Sequence, residues 1–258
     1  MGHKKTIVFF LIWPIFAFWF SRQFAINALF SSILFYGIPS LLLSLQKPSV
    51  VKKSFIVSLF IIPFMIIVDY VAELTKTWVW PLPQSILPLK LFHVVSLEVI
   101  IWAFLHTYIV ILFYQYFFEK SIIKKFWNGK SREAFIGTTF IFIIFLFILY
   151  LSPIFLYIPY WYFVFGILGI LPVVLLEEIR YPQVFPKLLK TAMYFFYLNF
   201  TYEITALKIG WWSFPSTQFI GHVSFFGVIF PFEEFFFWIL LFTLAILSYY
   251  EYFFNRER

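Results

Sequence analysis

Residues 230–238 read Phe230-Pro231-Phe232-Glu233-Glu234-Phe235-Phe236-Phe237-Trp238 and set two adjacent carboxylates inside a long apolar, aromatic run. A charged side chain is costly in hydrocarbon, so such residues within a membrane are rare and usually functional. Alternatively, Glu233 and Glu234 lie at the membrane interface and the span begins at residue 235. The stretch therefore predicts either a reactive site within a membrane or the polar start of a membrane helix.

The whole chain has the composition of a polytopic membrane protein. It has 258 residues, of which 63% are hydrophobic and only 12% are charged, and its mean hydropathy is +0.93. A transmembrane helix needs about 20 predominantly apolar residues. Eight stretches are candidates: residues 6–21, 27–45, 54–75, 91–118, 134–152, 160–176, 184–204 and 223–254. We expect an all-α fold with about eight transmembrane helices and little β-structure.

The basic residues predict the topology. With eight spans, fifteen of the 19 basic residues fall on one side and the other four, Arg22, Lys76, Lys90 and Lys208, on the opposite side. Positive residues concentrate in cytoplasmic loops. We therefore expect a multi-pass protein of the cell membrane with both termini in the cytoplasm. This distribution accounts for the net charge of +7, so we expect no nucleic-acid partner.

Several kinds of site are excluded by residues that the chain lacks. It has no cysteine, which excludes disulfides, thiolate nucleophiles and cysteine metal sites. It also has no glycine-rich fingerprint for a dinucleotide. The sequence thus predicts neither a cofactor nor a metal.

Two segments of the second half repeat the order of polar and aromatic residues in the first half. A shift of 134 residues aligns 48–81 with 182–215 and pairs Asp69 with Glu203 and Trp78 with Trp212. A shift of 136 aligns 98–118 with 234–254 and pairs Glu98 with Glu234 and Trp102 with Trp238. Alternatively, such matches arise by chance, because 26% of the residues are aromatic. We predict two parallel four-helix repeats, residues 1–125 and 126–258, meeting in the polar stretch 119–133.

The acidic residues of the predicted spans gather in one membrane layer. Asp69 and Glu203 come late in spans that run outward, whereas Glu98, Glu233 and Glu234 come early in spans that run inward. At about 1.5 Å per residue, all five should lie in the non-cytoplasmic half of the bilayer. They are our candidate catalytic residues, with capping of helix ends as the alternative for Asp69 and Glu203.

Aromatic residues accompany these acids. Residues four apart share a helix face, so each predicted repeat sets an indole beside its glutamate. The candidate substrate-binding residues are Trp102, Trp238, Trp78, Trp212 and Phe237. An aromatic belt at the membrane interface is the alternative for Trp78 and Trp212, and we expect His106 to be a packing residue.

A carboxyl group among phenylalanines loses hydration, which disfavours its ionised form. Such a group is suited to donate a proton, and a second carboxyl nearby is suited to accept one. Aromatic rings stabilise a developing cation by roughly 0.5 to 2 kcal/mol each. The combination predicts acid-initiated chemistry on an apolar polyene, in which protonation of a double bond gives a carbocation.

The chain resembles the flavin-independent, integral-membrane carotenoid (lycopene) cyclases, which contain two copies of a multi-span domain. The resemblance rests on Pro231-Phe232-Glu233-Glu234 with the aromatics that follow, and on Asp69 through Trp78 and Trp80. It covers residues 48–118 and 182–254. It implies redox-neutral cyclisation of the ψ-end of lycopene to a β-ionone or related ring. The chain departs from the family pattern at Val95-Ser96-Leu97-Glu98, which lacks the proline and one glutamate, and at Glu203, where aspartate is expected.

Two other classes of function are compatible with the sequence. Asp69-x-x-x-Glu73 and Asn199-x-x-x-Glu203 set oxygen ligands one turn apart, as an intramembrane prenyltransferase needs to hold Mg²⁺ against a diphosphate. Parallel repeats also suit a lipid or pigment transporter. In each case the expected partners are an apolar polyene or lipid and the membrane, and a homo-oligomer is left open.

Overall fold

The structure is a computed structural model and describes residues 3–80, 85–119 and 128–255. Most of the polar stretch predicted to join the two repeats, residues 120–127, lies outside these ranges, as does Pro81 at the end of the first aligned segment. At the far side of that stretch, Asn128 and Ser131 form a reciprocal capping box. This cap satisfies otherwise unpaired N–H groups at the start of the next helix.

Within the described residues, the fold is built from eight long helices. They are α1 (His3–Gln23), α2 (Ala28–Gln46), α3 (Pro48–Leu74), α4 (Leu97–Phe117), α5 (Gly129–Leu151), α6 (Trp161–Arg180), α7 (Phe185–Ile209) and α8 (Glu234–Asn255). All except α7 are long and apolar enough to cross a membrane. The chain is therefore an all-α polytopic membrane protein, as its composition predicts.

Helix α7 differs from the other seven in polarity rather than in length. Its 25 residues span about 38 Å at 1.5 Å per residue, which exceeds the hydrocarbon thickness of about 30 Å. Polar side chains such as Asn199 and Glu203 lower its hydropathy. Both are buried inside the protein, so lipid does not meet them.

Two predicted spans, residues 91–118 and 223–254, begin earlier than the helices that the structure shows there, because their first residues belong to β-hairpins. Strands β1 (Lys90–Leu91) and β2 (Val95–Ser96) precede α4, and strands β3 (His222–Phe225) and β4 (Val228–Pro231) precede α8. Phe226 and Gly227 turn the second hairpin with φ of 50° and 78°, as a two-residue type I′ turn requires. Apolar and aromatic residues suit strands as well as helices, so composition alone does not separate the two.

Both hairpins lie at one end of the helix bundle, which we call the hairpin end. Successive helices run in opposite directions, so the segments after α3 and α7 meet at the same end. There Val79 and Ser213 pair as an antiparallel bridge, with N–H···O distances of 3.0 and 3.2 Å. The helix core is therefore closed at this end by contacts between the two halves of the chain.

A buried glutamate anchors the loop before each hairpin. The Oε1 atom of Glu98 accepts hydrogen bonds from the backbone N–H groups of Ile86, at 2.6 Å, and Leu87, at 2.9 Å. Oε1 of Glu233 accepts one from the N–H of Ile220, at 2.7 Å. Both glutamates are almost fully buried. Because these oxygens satisfy backbone N–H groups of the loops, each glutamate fixes its loop against the helix that follows.

This role predicts the effect of removing Glu98. Glu98→Ala leaves two backbone donors without an acceptor, so we expect the free energy of unfolding to fall by about 2 kcal/mol. The free energy of unfolding should fall less in Glu98→Gln, because the amide oxygen of glutamine still accepts a hydrogen bond. Unfolding in detergent measures both, with exposed Glu133→Ala as the matched control. A Glu98→Ala variant as stable as the control would contradict the anchoring role.

Candidate functional site

A cavity lies among α2, α3, α4, α6, α7 and α8, towards the hairpin end. It contains about 70 Å³ of space into which the centre of a water molecule fits. That is room for several water molecules or for the tip of an apolar chain. None of the described residues that line it is a lysine or an arginine. The lining consists of Tyr36, Met65, Val68, Asp69, Ala72, Trp78, Trp80, Val99, Trp102, His106, Tyr162, Asn199, Tyr202, Glu203, Trp212, Glu234, Trp238, Ile239 and Phe242.

Three carboxyl groups reach this cavity from three helices. Asp69 lies near the end of α3, Glu203 near the end of α7, and Glu234 at the start of α8. All three are buried. The three carboxyls share one level of the bundle, as the sequence predicts, because the end of one helix and the start of an antiparallel helix lie at the same depth.

Each carboxyl has a different set of partners. Oε1 of Glu203 accepts a hydrogen bond from the indole N–H of Trp212 at 3.1 Å. Glu234 lies close enough to Glu203 and to the Tyr162 hydroxyl for electrostatic interaction. Oδ2 of Asp69 has no hydrogen-bond partner in the described part of the chain. The site thus combines carboxyls that have neutral donors beside them with one carboxyl oxygen that has none.

The helix that carries Glu234 begins with a local change of geometry. The first turns of α8, Glu234–Leu241, are π-helical. Such a segment is a widened turn that commonly occurs at functional sites. Ahead of it, Glu233 anchors a loop as Glu98 does. Glu98 and Glu233 therefore have the same role in hydrogen bonding and lie 135 residues apart. The sequence comparison pairs Glu98 with Glu234 instead, at a shift of 136. At a shift of 135, the residue that corresponds to Glu234 is Val99.

Two groups of aromatic rings form the walls. Trp78, Trp80 and Trp212 make a cluster with centroid separations of 5.7 to 5.9 Å. A row runs from Trp102 to His106, Phe242 and Trp238, with separations of 5.7, 5.8 and 4.9 Å. Ring faces carry negative potential, so such walls favour a cation in the space between them.

The structure brings together only part of the predicted site. Asp69, Glu203 and Glu234 line one cavity with the four predicted tryptophans, Trp78, Trp102, Trp212 and Trp238. Glu98, Glu233 and Phe237 lie outside the described lining. The ring of Phe237 packs against Gly166, where an added Cβ would overlap it. Phe237 is therefore placed in helix packing, and the two other glutamates in loop anchoring.

Several cavity residues escape the sequence reasoning. Tyr162 lies outside both aligned segments, so no repeat or motif indicates it. His106, expected to be a packing residue, lines the cavity and stacks between Trp102 and Phe242. Asn199 was indicated by the sequence only as half of a ligand pair with Glu203, one helical turn away on the same face, and the structure places both in the cavity lining. Tyr36 and Tyr202 have no such signal in a chain with 16 tyrosines.

The arrangement is suited to proton transfer in an apolar environment. The largely apolar lining strengthens each electrostatic contact within the cavity. Three carboxyl groups and the aromatic rings all face the same space. Comparisons with known protein families, with curated proteins and with solved structures found no match for this chain.

Proposed function

We propose that the chain catalyses the redox-neutral, acid-initiated cyclisation of a membrane-dissolved polyene, with conversion of lycopene to a β-ring carotenoid as the first reaction to test. The observation that carries this proposal is the meeting of Asp69, Glu203 and Glu234 in one aromatic cavity inside a membrane protein. An apolar substrate reaches such a site through the membrane. Proton transfer within the cavity then requires no redox partner.

The reaction has three steps with balanced atoms and electrons. A carboxyl group, assigned to Glu234, donates its proton to a terminal carbon–carbon double bond and leaves a carbocation on the chain. A second double bond of the same chain attacks this cation, which forms the ring bond and moves the positive charge onto the ring. A carboxylate then removes a ring proton, and the released electron pair becomes the new double bond. Substrate and product are isomers.

The partners of the three carboxyls suggest their roles. Like charges at short range disfavour double ionisation, so the neighbouring Glu203 and Glu234 are suited to share one proton. The indole N–H of Trp212 stabilises negative charge on Glu203, which suits Glu203 as the acceptor. Glu234 is then the donor, beside the Tyr162 hydroxyl. Asp69, with a free oxygen, is a second candidate for the final proton removal.

The aromatic walls supply stabilisation of the cation. Trp78, Trp212 and Trp238 line the cavity together with the carboxyls, and each ring face contributes roughly 0.5 to 2 kcal/mol to a nearby cation. The same rings limit the water that is able to reach the intermediate. Proton loss to a carboxylate is thereby favoured over capture by water.

Replacing Glu234 tests the donor role directly. Glu234→Gln keeps the size of the side chain but removes its acidic proton, so we expect ring formation to fall at least about 100-fold, a typical contribution of a general acid. Cells that accumulate lycopene and express the variant should retain lycopene, measured by pigment extraction and chromatography. Immunodetection of the variant in the membrane fraction checks that it still inserts.

The adjacent glutamate provides the matched control. Glu233→Gln retains an oxygen that accepts from the N–H of Ile220, so ring formation should persist. Wild-type pigment from Glu234→Gln would contradict the assignment. Equal losses in the two variants would contradict the separation of a reactive Glu234 from an anchoring Glu233.

The prenyltransferase alternative has less support from this cavity. A diphosphate requires cations, and no lysine or arginine is found among the described lining residues. Of the two predicted ligand pairs, Glu73 accepts from the backbone N–H of Trp80, and Asn199 is engaged by Tyr36 and His106. No specific observation favours a transporter.

We further propose that the chain consists of two parallel repeats of four helices, with the cavity on their pseudo-two-fold axis. Residues related by such an axis touch each other only where they lie on it. Four contacts between residues paired by the repeat shifts support it: Trp78 with Trp212, Val79 with Ser213, His106 with Phe242, and Tyr114 with Tyr250.

The helix ends give independent support for the repeat. Lys76 and Gly210, paired by the shift of 134, both have positive φ, of 55° and 81°. In both halves an alanine carbonyl closes the helix: Ala72 accepts from the N–H of Thr77 and Ala206 from that of Trp211, each at 2.9 Å.

With an even number of spans, both termini lie on one side, which we propose is the cytoplasmic side of the cell membrane.

Cross-linking tests the central contact between the halves. The chain has no cysteine, so Val79→Cys with Ser213→Cys introduces a single possible disulfide. The paired backbone positions fit the Cα separation of about 5.5 to 6 Å that a disulfide prefers. We expect oxidation to give an intramolecular cross-link, seen as a mobility shift reversed by reductant. Val79→Cys with Ser49→Cys, at opposite ends of the bundle, is the control; equal cross-linking of the two pairs would contradict the contact.

A further inference from the structure

The cavity has one polar side that the proposed cyclisation does not use. This polar lobe consists of Tyr36, His106, Asn199 and Tyr202, all of which line the cavity. The Tyr36 hydroxyl donates to Oδ1 of Asn199 at 3.2 Å, and Nδ2 of Asn199 lies 3.3 Å from Nε2 of His106. A hydrocarbon substrate offers nothing to these groups.

The orientation of the Asn199 amide indicates which ring nitrogen of His106 accepts a hydrogen bond and which one donates. A tyrosine hydroxyl donates to the Asn199 oxygen, so the nitrogen of that amide faces His106. In this orientation of the Asn199 amide its nitrogen donates, and we infer that Nε2 of a neutral imidazole accepts. The proton of His106 is then on Nδ1, which has no partner in the described part of the chain although His106 is only 1% exposed. The lobe thus presents an unused N–H donor.

The counterparts across the proposed axis are apolar. The repeat shifts pair His106 with Phe242, Asn199 with Met65, and Tyr202 with Val68, and all six residues line the cavity. At these three positions one half of the chain therefore brings hydrogen-bonding groups to the cavity and the other half brings apolar ones. Shape alone does not require this difference, since imidazole and phenyl rings stack equally well in the aromatic row.

We propose that the polyene bound by this chain carries an oxygen function, a hydroxyl or a carbonyl, on the end that enters the cavity, and that Nδ1–H of His106 donates to this oxygen. The inference rests on the proposed function, because it names the substrate class of the same cavity. A buried donor left without an acceptor costs free energy, and an oxygen at this position removes that cost. His106 is then a residue that determines specificity, held in its tautomer by Asn199.

Competitive binding tests this inference without requiring turnover. Purified full-length protein, immobilised in detergent, is incubated with equal amounts of lycopene and a lycopene derivative that carries a hydroxyl group at one end. Bound pigment is eluted and separated by chromatography, and any cyclised product is counted with its parent. We expect the hydroxylated pigment to be retained about tenfold more than lycopene, a factor within the range of one net hydrogen bond.

Two variants convert the polar lobe to its apolar counterpart. His106→Phe copies Phe242 and Asn199→Met copies Met65, and each should reduce the preference to about threefold or less. His222→Phe, at an exposed histidine outside the cavity lining, should keep the wild-type preference. Two variants of different chemistry allow the test to succeed if one of them fails to fold.

Each outcome decides the inference. Equal retention of the two pigments, or a preference unchanged in both folded variants, would overturn it and leave the lobe as a site for water only. Retention of neither pigment would overturn it as well. If the preference holds but neither pigment forms a ring in cells, the inference stands as a binding site and the proposed function fails.

Discussion

The cost of placing carboxyl groups in a membrane interior governs this structure. Five acidic residues near the hairpin end meet that cost in two ways. Glu98 and Glu233 receive backbone N–H donors from preceding loops and become anchors. Asp69, Glu203 and Glu234 instead turn towards a cavity walled by indoles. The anchored pair fixes the loops at the hairpin end, whereas the other three carboxyls face one shared space.

A one-residue difference between the halves separates these roles. The π-helical start of α8 accommodates the additional residue, so the second half has an anchor and a cavity acid side by side. The first half has the anchor Glu98 followed by Val99, which lines the cavity without a charge. In the proposed repeat arrangement the cavity is a single site on the axis between two halves, and we propose that its asymmetry of acid, imidazole and amide gives the substrate one orientation.

The sequence predicts much of this architecture because membrane length and polarity are local properties. Seven of the eight predicted spans correspond to helices apolar enough to cross a membrane, and the layer of Asp69, Glu203 and Glu234 follows from their positions along those spans. The hairpins before α4 and α8 were missed, since aromatic residues suit both strands and helices. The sequence pairs Glu98 with Glu234, whereas Glu98 and Glu233 make the similar hydrogen bonds, and no residue pattern indicates the π-helical start of α8. Tyr162 and the role of His106 depend on contacts between distant segments.

Deuterium incorporation tests the central claim most directly. When lycopene is converted in D₂O, the proton donated by a buried carboxyl is exchanged for deuterium, whereas the proton lost from the ring comes from the substrate. The account predicts a product that is an isomer of lycopene in H₂O and that gains one deuterium for each ring formed in D₂O, measured by mass spectrometry. A cyclic product without deuterium, or a product whose mass in H₂O differs from that of lycopene, would contradict acid-initiated, redox-neutral cyclisation.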